Sequence, residues 1–72
     1  MTLAKGIYKH YKGKLYEVIG VAQHSETGEQ MAVYKTLYGD FSLWVRPLTM
    51  FEEMIERDGE QVARFKFIES SG

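Results

Sequence analysis

The sequence predicts an all-β domain, a small antiparallel barrel of five to six strands with one short helical turn near residues 49–54. Three observations carry this. Short runs of apolar, aromatic and β-branched residues recur between Gly6 and Ile68, broken every several residues by polar, glycine-containing segments. The stretch from Tyr34 to Phe51 holds five of the ten aromatic residues, with the only tryptophan and proline, and its two extended runs flank a Gly39-Asp40 break typical of a hairpin. Asp58-Gly59 sits between two further extended runs and is a strong hairpin signal. An SH3-like barrel fits best, because closure removes the exposed edges of so aromatic a sheet. The alternative is an α+β meander with a longer helix, Thr49 to Arg57, across the sheet.

Each element has its own reason. Ile7, Lys9 and Tyr11 alternate with Tyr8 and His10, a first strand. Lys12-Gly13-Lys14 supplies a tight turn, and Leu15 to Ala22 resumes an extended run. Gly20 in its middle predicts a bulge or bend. His24 to Gln30 is a polar reversing loop, Met31 to Tyr38 a third strand and Leu43 to Arg46 a fourth. Pro47 ends that strand, and Thr49 with Glu52 has capping-box spacing for the helical turn. Two final strands flank Asp58-Gly59. The alternation places Val18, Val33, Leu43, Val45, Phe51, Val62 and Phe65 in one core, so Trp44 and Arg46 point outward.

The 72 residues are read as a single domain over 1–72, ordered from about 4 to 68, with a frayed polar tail at 69–72. The absence of cysteine excludes disulfides and thiolate chemistry and suits a reducing compartment. A formal net charge of −1 argues against a protein that coats nucleic acid by bulk electrostatics. With no apolar leader and no run near the roughly 20 residues of a membrane span, the expected location is cytoplasmic, with no membrane contact. Lysines at 5, 9, 12 and 14 and acids at 52, 53, 56, 58 and 60 read as two solvated faces.

Gly6-x-Tyr8-x-His10-Tyr11-Lys12-Gly13-x-x-Tyr16, His24 to Thr27, Tyr34, Leu43-Trp44-Val45-Arg46-Pro47 with Met50-Phe51, and Asp58-Gly59 before Arg64-Phe65 form a combined pattern. It resembles the short bacterial family catalogued as domain of unknown function sixteen-fifty-three, over about Lys5 to Phe67. Ala63 departs from it, since a proline is expected before the Arg-Phe pair. The resemblance implies bacterial origin and a freestanding compact domain, and it implies no reaction.

Chemistry-bearing constellations are sparse. His10 and His24 lack the three or four ligands of a zinc site, so no metal is expected. Ser25 beside His24 lies in a turn without an oxyanion-hole element, and no glycine-rich phosphate loop is present. The expectation is no catalytic residue, no cofactor and no enzyme. Aromatic residues interleaved with cations are the stronger signal, and they support a binding module whose ligand-binding residues are Tyr8, His10, Tyr34, Trp44 and Arg46. The expected partner is a single-stranded nucleic acid or an extended peptide. Against this, large rings are what a small core needs, and Arg46 can simply pair with Glu17 or Asp40. The alternative function is a protein interaction or homo-oligomerisation subunit docking through Met50, Phe51 and Met54.

Overall fold

A computed structural model describes residues 3–70. Seven strands and one helical turn follow in order: β1 (Gly6–His10), β2 (Leu15–Gln23), β3 (Gln30–Thr36), β4 (Leu43–Pro47), α1 (Leu48–Phe51), β5 (Met54–Arg57), β6 (Glu60–Ala63) and β7 (Phe65–Ser70). The fold is all-β, as the sequence predicts. Five strands form an antiparallel sheet in the order β4-β3-β2-β1-β7, and β5 pairs with β6 as a separate hairpin. Among the described residues no helix is long and apolar enough to cross a membrane.

Local chemistry sets the connections. The β1–β2 turn closes as the Gly13 N–H donates to the His10 carbonyl at 2.7 Å. In the β2–β3 loop, His24 Nδ1 accepts the Glu26 N–H at 3.1 Å. The bulge predicted from Gly20 is present, because the β2–β3 register shifts between Val18 and Gly20 and leaves Ile19 as the extra residue. Buried Thr36 ties the β3–β4 loop together: its Oγ1 accepts the Ser42 N–H at 3.1 Å and donates to the Tyr38 carbonyl. In the β5–β6 hairpin Arg57 pairs with Glu60, and Asp58 and Gly59 take φ of 54° and 80°. Two successive positive φ values are what a type I′ turn requires. Since a Cβ at Gly59 would meet nothing within 4 Å, Gly59→Val isolates the torsional cost. A loss of about 1–2 kcal/mol is expected in chemical denaturation, and a parent-like midpoint would assign the turn's tolerance to another cause.

The core lies between the sheet's inner face and α1. Tyr8, Val18, Ala32, Tyr34 and Phe65 come from the sheet, and Leu48 and Phe51 come from the turn. Pro47 (φ −50°, ψ 135°) leads into α1 and directs Leu48 and Phe51 inward. The capping box expected of Thr49 and Glu52 is not made, because Thr49 lies inside the helix and no side chain caps it.

Several expectations are corrected. The sheet does not close, so β4 and β7 remain edges and the domain is an open sheet rather than a strict barrel, with seven strands rather than five to six. Phe51 of α1 packs instead against Tyr8, Tyr34 and Phe65 of the sheet's inner face. Leu43 and Val45 are 64% and 57% exposed, and Val33 and Val62 are only half-buried. The register explains the reversal: Tyr34 is opposite Trp44 and Ala32 opposite Arg46, so the tryptophan and arginine share the core side while Val45 pairs with Val33 on the outside. Val18, Phe51 and Phe65 are buried as expected. Glu69 and Ser70, expected to fray, extend β7 opposite Ile7 and Gly6; the rest of the expected tail, 71–72, lies outside the described residues.

Candidate functional site

Three rows of the inner face meet at the β4 end of the sheet. Tyr16 is opposite Thr36 in one, Val18, Tyr34 and Trp44 lie side by side in the next, and Val21, Ala32 and Arg46 make the third. Residues two apart on a strand share a face, so Tyr34 with Thr36 and Trp44 with Arg46 project to the same side. The β3–β4 loop, held by Thr36, returns Tyr38 over this corner. Tyr16, Tyr34, Thr36, Tyr38, Trp44 and Arg46 then line a cavity of about 200 Å³.

The walls have defined chemistry. The Tyr16 and Tyr38 hydroxyls hydrogen-bond to each other at 2.9 Å, and their rings meet edge-on with centroids 5.6 Å apart. The Lys14 Nζ stands 4.5 Å from the Tyr38 centroid, within cation–π range. Trp44 is 56% exposed, yet its indole N–H is already used, donating to Ser42 Oγ at 2.8 Å. What Trp44 offers is therefore a ring face. Arg46 is the opposite case: its guanidinium lies 5.5 Å from the Phe65 centroid, and its Nε is buried with no acceptor. The expected pairing with Glu17 or Asp40 is not made; among the described residues the ion pair is Arg64 with Glu53.

Burial, then the hydrogen bond with Tyr38, push the Tyr16 phenol up to about 12. The ring is a proton donor at neutral pH and cannot serve as a base. An unfolded tyrosine ionises near 10, so the unfolded chain releases this proton first. The stabilisation is complete below about pH 10 and is lost as the pH rises through about 12. Burial and the Glu52 carboxylate also raise Tyr8. Melting temperature should therefore fall between pH 10 and 12, and Tyr16→Phe should flatten that fall. A Tyr16→Phe profile parallel to the parent's would exclude Tyr16 as its source.

Of the five residues selected from sequence, the fold brings Tyr34, Trp44 and Arg46 to the cavity. Tyr8 is elsewhere, buried in the core with its hydroxyl donating to the Ala4 carbonyl at 2.8 Å. His10 is half-buried between Tyr11 and Phe65, with Nδ1 accepting the Lys12 N–H at 3.2 Å. Burial, then Arg64, Arg46 and Lys12, hold its imidazole below the usual histidine range. Tyr16, Thr36 and Tyr38 complete the wall without having been selected. Alternation along the expected third strand, Met31 to Tyr38, already places Thr36 and Tyr38 with Tyr34, although β3 itself ends at Thr36; only the β2–β3 register adds Tyr16. Phe51, expected in an exposed docking patch with Met50 and Met54, is buried, whereas the two methionines are exposed. Among the described residues no three His, Cys, Asp or Glu side chains gather as metal ligands.

Comparison with known proteins agrees with this architecture. Among curated proteins, none matches. A crystal structure of a DUF1653 protein from Bordetella bronchiseptica superposes with a TM-score of 0.86 at 29% identity, over 97% of this chain and 92% of that one. The family described as "Protein of unknown function (DUF1653)" matches residues 6–67, nearly all of the described residues, and the chain belongs to that family.

Proposed function

We propose that the protein is a non-enzymatic binding module whose cavity takes one unpaired base of a single-stranded nucleic acid. The observation that supports this most directly is Arg46. Its guanidinium lines the cavity without an acceptor from the described residues, its Nε is buried, and its remaining N–H donors can be offered to a ligand oxygen or ring nitrogen. Around it, Trp44 offers an uncommitted ring face and Tyr38 a second aromatic wall, the surfaces on which bases stack irrespective of sequence. A cavity of about 200 Å³ suits one planar ring rather than a duplex. Lys14 at Tyr38 supplies a cation for the adjoining phosphate. With a net charge of −1 the contact is local, so affinity should fall only shallowly with salt. The cysteine-free sequence and the family resemblance support a bacterial, cytoplasmic setting.

The single tryptophan reports on the site. Titration with short single-stranded oligonucleotides should change its fluorescence, and the same sequences as duplexes should not. Stacking is worth about 1–3 kcal/mol per base, so Trp44→Ala should weaken binding of a labelled oligonucleotide tenfold or more with its melting temperature kept. Arg46→Gln should do the same. No response to any oligonucleotide would overturn the reading, and a response to extended peptides alone would replace it with peptide recognition.

A further inference from the structure

The side of the sheet opposite the cavity carries a second surface. One row across it runs Glu69, Ile7, Glu17, Lys35, Leu43 in strand register. Val33 and Val45 pair in the neighbouring row, where the Lys5 stem passes 4.0 Å from the position a Cβ would take at Gly20, beside the bulged, exposed Ile19. Leu15 is exposed there too. At the centre of this apolar face Glu17 and Lys35 lie on adjacent strands, both half-buried, and neither makes a side-chain hydrogen bond or ion pair among the described residues. The two opposite charges face each other across the strands of one chain yet lie beyond ion-pair distance, so each is left available to a complementary surface.

We infer that this face is the contact between two copies of the chain, related by a two-fold axis running along the strands between β2 and β3. Rotation about that axis lays β2 of one copy over β3 of the other and β1 over β4. Glu17 of each copy then faces Lys35 of its partner, so both pairs form at once. Ile7 of each copy meets Leu43 of the other, and Val33 of each copy lies over Gly20 and the Lys5 stem beside it. The charges are self-complementary, as an isologous contact requires, and this favours a second copy over an unrelated partner. Four strands at about 4.8 Å spacing give a footprint about 20 Å across, at the small end of specific interfaces, where weak contacts are found. The inference is independent of the cavity on the other side.

Sedimentation or light scattering of the whole chain across about 1–500 µM tests it. The parent should pass from monomer to dimer over that range. Glu17→Lys and Lys35→Glu each set like charges against one another twice, and each should raise the dissociation constant tenfold or more. The double variant E17K/K35E should restore the dimer. Val45→Asp, on the exposed edge strand, should give monomer without touching the charge pair, and circular dichroism checks that every variant is folded. A parent that stays monomeric to 500 µM would overturn the inference. So would a dimer indifferent to either charge reversal or to Val45→Asp, or a double variant that does not recover.

Discussion

Phe51→Ala is expected to lower unfolding free energy by about 3–5 kcal/mol, the range for removing a buried phenylalanine. Phe51 is 1% exposed and lies face to face with Phe65, ring centroids 4.2 Å apart and planes 5° from parallel. Tyr8 meets it edge-on at 5.3 Å, and Tyr34 meets it tilted by 47° at 5.5 Å. The ring is also what α1 contributes to the inner face, so its loss leaves the short turn with Leu48 as its anchor. A domain of this length has a total stability of roughly 4–11 kcal/mol, so this one change removes a large part of it. Urea denaturation checks the value, with Phe51→Leu expected to lie between. Val45→Ala should shift the midpoint little, because Val45 is mostly exposed. A Phe51→Ala loss under about 1 kcal/mol would mean that the sheet's inner face holds together without α1.

Gly6→Ala is the second large effect. A Cβ at Gly6 would stand 2.3 Å from the Glu69 carbonyl oxygen and 2.9 Å from Phe67 Cε1, and the first of these is backbone that cannot swing aside. The φ of +155° adds a torsional cost for any residue with a Cβ. Overpacking with strain predicts a loss of about 2–4 kcal/mol. It should be local in onset: amides of β7 should lose exchange protection before those of β2 and β3, since β1 holds β7 through this register. Uniform loss of protection would instead place β7 in the same cooperative unit as the rest.

How far the fold is legible from sequence depends on the kind of signal. Turn chemistry reads through reliably: Gly13 and Asp58-Gly59 mark a turn and a hairpin because few residues take their positive-φ conformations, and Gly20 marks the place of the bulge at Ile19. Period-two alternation is legible only up to a choice of side. In β4 the aliphatic pair Leu43 and Val45 looks like the inner set, but register sends the amphipathic Trp44 and Arg46 there, where ring area and a long stem matter more than hydropathy. Tyr8 and Tyr34 are alike by type and equally buried against Phe51, and only their places in the sheet separate them, Tyr8 beside Phe67 and Tyr34 beside Tyr16 at the cavity. The Tyr16–Tyr38 contact spans 22 residues and depends on the β2–β3 register, so local pattern does not contain it.

The pairing of β7 with β1 has a consequence for how the chain folds. β1 through β4 can assemble as successive hairpins, each closing a short loop, the longest of them six residues between Gln23 and Gln30 or between Thr36 and Leu43. Bringing Phe65 beside His10 instead closes a loop of more than fifty residues, which costs about 2 kcal/mol more in chain entropy than a six-residue loop. That strand should dock late, after the meander and the β5–β6 hairpin have formed. Substitutions confined to the β1–β7 seam should then leave the refolding rate nearly unchanged and act on the unfolding rate, whereas changes at the β2–β3 seam should slow refolding.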